Sequence, residues 1–243
     1  MGAFVGKWTK HKFLLKENEL ATNLPETRLL RKSTFHELLD KYGEVILKPS
    51  RGFHGKGVIL VSTLGSEKYS THIGNKKIIL EGKQKAYDFL RETISRQKKY
   101  IVQQKIVLAS INNSPFDIRV MVQRKRKSNE WKITGKLAKV AARGYFTTNT
   151  AQAVLPVIEA LDSSRIKLLN ADLVIKEIDQ VSLLTANHLM KYYPSQRTFG
   201  LDIGIDVYGK VWIIEANLTP GISMFNKLED KSAYKLMRWF RKG

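Results

Sequence analysis

The chain has 243 residues, with 42 Lys plus Arg against 22 Asp plus Glu, a formal net charge of +20. Hydrophobic residues make up 43% of it, enough to bury a core, so a wholly disordered chain is excluded. Cysteine is absent, which excludes disulfide scaffolds, thiol catalysis and thiolate metal sites. Residues 12–20 carry apolar positions at helical spacing, and Asn23-Leu24-Pro25 ends that helix. A short helix is predicted over 34–42, capped by Thr34 and stopped by Gly43. Strands are predicted at Glu44–Lys48 and Val58–Ser62, with a glycine-rich loop between them, and a helix over 84–97. Tyr100–Leu108, Asp117–Arg124 and Trp131–Val140 read as strands. Residues 163–191 have helical spacing throughout. Phe199–Val207 and Val211–Ala216 read as a strand pair turning at Tyr208-Gly209, and 231–241 as an amphipathic helix. Helices and strands mix in two blocks, an α+β pattern divided near residue 102. No apolar run approaches the ~20 residues of a membrane helix, and the first residues carry no secretion signal, so a cytoplasmic protein is expected.

A field this positive draws polyanions. The basic run Arg124–Lys127 sits between two predicted strands, where a solvated hairpin tip is the plainer explanation. Neither a helix-turn-helix, a zinc-finger spacing nor an aromatic stacking motif accompanies the charge, so nucleic acid is an unlikely partner.

Two stretches carry chemistry. In KPSRGFHGKGV, 48–58, the glycines let backbone approach a ligand closely, and Lys48 and Lys56 add charge. The order of residues is neither a Walker loop nor a dinucleotide fingerprint. In FGLDIGIDVYGKVWIIEANLTPG, 199–221, Asp202, Asp206, Glu215 and Asn217 stand inside apolar strand runs. Strand alternation puts Asp202 and Asp206 on one face and Glu215 with Asn217 on another, and pairing of the two strands lets the acids converge. Oxygen ligands of this kind suit Mg²⁺ bridged by substrate phosphates. Asp206 is the member most easily explained as an exposed or salt-bridged acid.

Taken in order, these motifs resemble the ATP-grasp superfamily, and within it the YheC/YheD-like group, with kinship to ribosomal-protein-glutamate ligases. The resemblance spans about residues 8–225. It implies two α+β lobes with the nucleotide between them, an N-terminal lobe at 1–102 and a C-terminal lobe at 103–243. By the resemblance Lys12 is the first nucleotide lysine and Lys48 the second, and the loop with Gly55, Lys56 and Gly57 is a flap over the triphosphate. Gln104, Lys105 and Ile106 form the hinge whose backbone faces adenine, and Asp117 is a ribose ligand. Arg119 and Lys139 are the catalytic cations, and Asn149 lies near the phosphates. Asp202, Glu215 and Asn217 hold the metal.

The implied cofactors are ATP and Mg²⁺, and the implied activity is a carboxylate–amine ligase working through an acylphosphate. Its substrate is expected to be acidic or peptide-like. A kinase on the same fold and a basic nucleic-acid-binding protein with a vestigial nucleotide site are the alternatives. Most members of the superfamily carry a further lobe before the first lysine, whereas eleven residues precede Lys12 here. The expectation is either a minimal version of the fold or a partner chain or second copy that completes the acceptor site.

Overall fold

A computed structural model describes residues 6–52, 55–94, 98–164, 166 and 170–242. Two antiparallel sheets face each other across a cleft. The first has the order β1 (Thr27–Leu29), β6 (Tyr100–Gln104), β2 (Glu44–Pro49), β3 (Ile59–Gly65), β4 (Lys68–Ile73), β5 (Lys76–Glu81). The second has the order β10 (Ala151–Leu155), β9 (Lys132–Ala141), β8 (Ser114–Gln123), β11 (Thr198–Ile205), β12 (Val211–Asn217), with the short β7 (Ser110–Ile111) pairing with β8.

Strand alternation sorts the side chains. On β2, Val45 and Leu47 enter a core with Phe35, Leu38 and Leu39 of α3 (Lys32–Tyr42) and with Ala86 and Leu90 of α4 (Lys83–Thr93). Ile46 and Lys48 take the opposite face and line the cleft. The α3 helix starts one turn before its expected cap. Thr34 is its third residue, and its hydroxyl accepts from the Arg31 N–H at 2.9 Å and donates to the Leu29 carbonyl at 2.7 Å. Gly43 ends the helix in the left-handed conformation, φ 70°, as expected.

On β8, Phe116, Ile118, Val120 and Val122 enter a larger core with Val174, Ile178 and Leu189 of α6 (Ala171–Met190) and with α5 (Val157–Asp162). Asp117 and Arg119 face the cleft. A third cluster, Met121, Leu137, Phe225 and Met237, seats the C-terminal helix α7 (Ser232–Lys242) on the second sheet.

The division expected at residue 102 falls inside β6, and the start of the chain packs on the second sheet. Helices α1 (Lys7–Leu14) and α2 (Asn18–Ala21) put Leu14 and Leu20, with Leu24 after them, into the core of the second sheet. The first sheet is thus an excursion that leaves the second unit near Pro25 and returns after Gln104. The outgoing and returning segments run side by side: Gln104 N–H donates to the Glu26 carbonyl at 2.8 Å, and Glu26 N–H to Gln104 Oε1 at 3.3 Å.

The β4–β5 hairpin was not predicted. β5 is an edge strand that is exposed or half-buried along its whole length, so it lacks the alternation that betrays a strand. Its predecessor turns through Gly65, Ser66 and Glu67, all with positive φ. Among the described residues no helix is long and apolar enough to cross a membrane.

Candidate functional site

The cleft holds a cavity of about 750 Å³ walled by both sheets. Of the residues singled out from sequence, Lys48, Gly55, Lys56, Gln104, Lys105, Ile106, Asp117, Arg119, Lys139, Asn149, Asp202, Glu215 and Asn217 all line it. Gly57 and Lys12 do not. Gly57 (φ +77°) lies against Pro49 and the Tyr100 hydroxyl, where a Cβ would come within 2.6 Å of that oxygen. Lys12 is exposed on α1, its ammonium 6.0 Å from the Trp8 ring centre. The helical lysine that reaches the cleft is Lys7, one turn earlier. Lys7 Nζ is 3.0 Å from Glu215 Oε1 and donates to the Gly52 carbonyl of the loop at 3.2 Å. The motif spacing missed it because the helix begins at Lys7 rather than at Lys12.

The acids converge through a defect in the sheet. Asp202 pairs with Glu215, but Ile203 pairs with Ile213, so Ile214 is an extra residue. Val211 and Ile213 face the core below the second sheet. Without the bulge, Glu215 and Asn217 would follow them into it; with it, Ala216 turns inward and Glu215 and Asn217 face the cavity with Asp202. Asp206 takes no part. Its carboxylate accepts from the Tyr208 and Lys210 N–H groups and from Trp212 Nε1, holding the β11–β12 turn.

Asp202 is the hub. Arg119 binds it with a two-point fork, Nε to Oδ1 at 2.9 Å and Nη2 to Oδ2 at 3.1 Å. Lys139 Nζ donates to Oδ1 at 2.9 Å and Asn217 Nδ2 to Oδ2 at 3.1 Å. Burial pushes the Asp202 carboxyl up, but Lys139 and Arg119 outweigh it and hold the group below the usual carboxylate range. Lys139 also lies 3.0 Å from Asp117 Oδ1, and the Thr148 hydroxyl donates to Asp117 Oδ2. Burial raises the Asp117 carboxyl against the pull of Lys139. Its two oxygens therefore face Lys139 and Thr148.

Lys48 is buried at the end of β2. Its ammonium donates to Gln103 Oε1 at 2.6 Å; Gln103 Nε2 donates to Thr27 Oγ1 at 2.8 Å, which donates to the Pro25 carbonyl at 2.9 Å. This chain fixes the amide so that its oxygen meets the ammonium. Burial lowers the Lys48 pKa to about 8, with Glu215 pulling the other way. Neighbouring His11 is pushed down to about 4 by burial and by Lys48. Lys7 belongs to no motif, and Gln103 lies in the hinge segment without an expected role of its own; the fold brings both to the cavity.

At the hinge, the Gln104 and Lys105 N–H groups already donate to the Glu26 and Glu44 carbonyls, at 2.8 and 3.3 Å. The loop that carries Gly55 meets Asn149 across the cavity, where a Cβ on Gly55 would come within 2.3 Å of Asn149 Nδ2. Residues 53 and 54 of this loop lie outside the described residues.

Asp202, Glu215 and Asn217 offer oxygen donors only, on paired strands beside four cations. Among the described residues no group of three or more His, Cys, Asp or Glu is placed to cage a metal. The set therefore fits a hard divalent ion that completes its shell with water and phosphate oxygens, the habit of Mg²⁺, and not a self-sufficient protein cage.

Against known families, residues 2–239 match the model of the YheC/D-like ATP-grasp proteins. The chain belongs to that family. Endospore coat-associated protein YheD of Bacillus subtilis is 28% identical over 233 residues, covering 92% of this YheC/D-like chain and 50% of YheD. The chain thus spans about half the length of that relative. Among solved structures, the biotin carboxylase of Campylobacter jejuni in its β,γ-ATP complex superposes with a TM-score of 0.61 at 12% identity, over 97% of this chain and 46% of that one. The D-alanyl-alanine synthetase A of Vibrio cholerae superposes with a TM-score of 0.56 at 11% identity, over 98% and 64%. These likenesses make the two-sheet architecture the ATP-grasp fold.

Proposed function

We propose that this chain is the nucleotide-binding module of an ATP- and Mg²⁺-dependent ligase that joins a carboxylate to an amine. The observation that carries the reading is the shared cavity: Lys48 from one sheet and Asp202 with Glu215 from the other face the same space. Family membership and the synthetases of the same fold support ATP-dependent ligation as the class of reaction.

In this reading Lys48 and Lys7 hold the phosphates, Lys56 approaches from the loop, and main chain beyond Ile106 meets the base. Asp202, Glu215 and Asn217 would hold Mg²⁺, which supplies charge neutralisation at the phosphate oxygens when bound. A substrate carboxylate oxygen attacks the γ-phosphorus as the bond to ADP breaks, giving an acylphosphate. The amine nitrogen then attacks the acyl carbon, and phosphate leaves. In this reading Arg119 and Lys139 offset the negative charge that grows in both steps, and the protein's work is placement and electrostatic stabilisation. The net charge of +20 favours an acidic or peptide-like substrate. A partner chain or second copy supplying part of the acceptor site belongs to the same proposal.

The test is ADP release with ATP, Mg²⁺ and a panel of acidic amino acids and peptides, with products read by mass. The expected result is an amide product that requires both the amine and Mg²⁺, and is lost in Asp202→Ala. A phosphorylated product formed without an amine would replace ligation by kinase chemistry. Absence of any ATP-dependent thermal shift would remove the nucleotide reading altogether.

A further inference from the structure

The C-terminal helix α7 lies outside the cleft and has two unlike faces. Met237 and Phe240 are buried against the second sheet. The outer face exposes Leu236 and Trp239, 41% and 59% exposed and one turn apart, beside Lys235, Arg238 and Lys242. The helix contains no acidic residue.

More positive charge arrives from elsewhere in the chain. Lys125, on the β8–β9 turn, donates to the Trp239 carbonyl at 2.9 Å and sits 3.1 Å from the indole centre. Arg197, just before β11, donates to the Arg241 carbonyl at 3.3 Å. Among the described residues none of these cations has a carboxylate within ion-pair distance. The acid of the β8–β9 turn, Glu130, is spent on Lys132 at 3.3 Å. Desolvation, and after it the nearby Arg197, push the Lys125 ammonium down. This crowding of cations around exposed apolar side chains makes the face attractive to an external anion.

We propose that the outer face of α7, with the β8–β9 turn, docks on an anionic lipid bilayer. A lipid interface answers both parts of the surface: headgroup phosphates meet the cations, while the indole and the Leu236 side chain enter the boundary between headgroups and acyl chains. The long stems of Lys and Arg reach sideways to the headgroups as the helix settles. An acidic peptide would satisfy the cations but leave Leu236 and Trp239 in water. Base stacking by a nucleic acid needs open ring faces, and Lys125 already covers one face of Trp239. The docked helix also touches the cleft wall, since Arg241 Nη2 donates to the carbonyl of Pro220, a cavity residue, at 2.6 Å. Binding would therefore hold the cleft close to the membrane surface.

The test is co-sedimentation of the whole chain with vesicles of phosphatidylcholine, alone or mixed with phosphatidylglycerol, at low and high salt. Binding is expected only to the mixed vesicles and is expected to weaken with salt. The triple variant Lys235→Gln, Arg238→Gln, Lys242→Gln should lose about a hundredfold in partitioning, at about fivefold per charge. The variant Leu236→Ser, Trp239→Ser keeps every charge and should lose about tenfold. Both sets of side chains are exposed, so an unchanged thermal transition serves as the folding control. Sedimentation that ignores phosphatidylglycerol, or an apolar variant that binds like the parent, would overturn the proposal. So would tighter binding to polyglutamate or to duplex DNA than to the mixed vesicles at matched salt.

Discussion

Lys48 and Asp202 look into one cavity from opposite sheets, and the protein surrounds them in opposite ways. Lys48 meets a single neutral acceptor, the Gln103 amide, in a buried position, and its proton is loosened to about pH 8. Asp202 meets Arg119, Lys139 and Asn217 at once and is held firmly ionised. Breaking one partner of a buried pair strands a charge, whereas a cation held by a neutral dipole keeps most of its field for an incoming ligand. The first sheet thus presents an uncompensated positive charge, while the second keeps its carboxylates neutralised in advance. Glu215 is already paired with Lys7 at 3.0 Å, and the same ammonium is 3.2 Å from the Gly52 carbonyl of the loop.

The contrast breaks most sharply at the hub. Asp202→Ala strips Arg119 of its carboxylate and leaves Lys139 with Asp117 alone, and urea denaturation should show a loss of about 3 kcal/mol. Asp202→Asn retains the shape and should lose less, and neither variant should respond to Mg²⁺.

The Lys48 side is expected to show in pH. The folded value of about 8 lies below the ordinary 10.5, so between those limits the unfolded chain binds more protons. The cost of burying the charged form is fully present below pH 8 and is relieved as pH rises toward 10.5, so stability without nucleotide should climb over that window. Nucleotide affinity should fall over the same window as the ammonium loses its proton. Calorimetric titration with an ATP analogue, paired with melting curves, checks both slopes, and Lys48→Met should abolish each.

A finer cut is Gln103→Leu, which removes the acceptor without touching the cavity's charges. About a tenfold loss of nucleotide affinity is expected, the scale of one unsatisfied buried group, with Gln103→Glu restoring a partner to Lys48. The smallest effects separate Lys12 from Lys7, both on α1. Lys12→Ala should change stability by no more than ~0.5 kcal/mol and leave nucleotide affinity alone. Lys7→Ala loses a half-shielded pair with Glu215, worth about 1 kcal/mol, together with nucleotide affinity.

Much of this was readable in the chain because its signals are local. Acids inside apolar strand runs, glycines between two lysine-bearing strands, and Gly43 after a helical pattern each leave a mark within a few residues. What could not be read depends on register or tertiary contact. Alternation alone would send Glu215 the same way as Ile213; one extra residue at Ile214 reverses that, and no propensity marks it. Lys7 and Gln103 acquire their roles from the seating of α1 and the pairing of β6 with β1 and β2. Residues 7–24 read as part of the first unit by order along the chain, yet their leucines complete the core of the second.

That placement of the N-terminal helices leaves the first sheet attached at both of its ends to the same body. The two attachments, near Glu26 and Gln104, are neighbours bonded to one another, so together they act as a strap rather than a tether. A single peptide link would let the sheet swivel freely; a doubled one gives easily to bending across its width and resists torsion. Beside Lys48 the Lys7 N–H also donates to the Ser50 carbonyl at 2.7 Å, a third tie, between α1 and the first sheet.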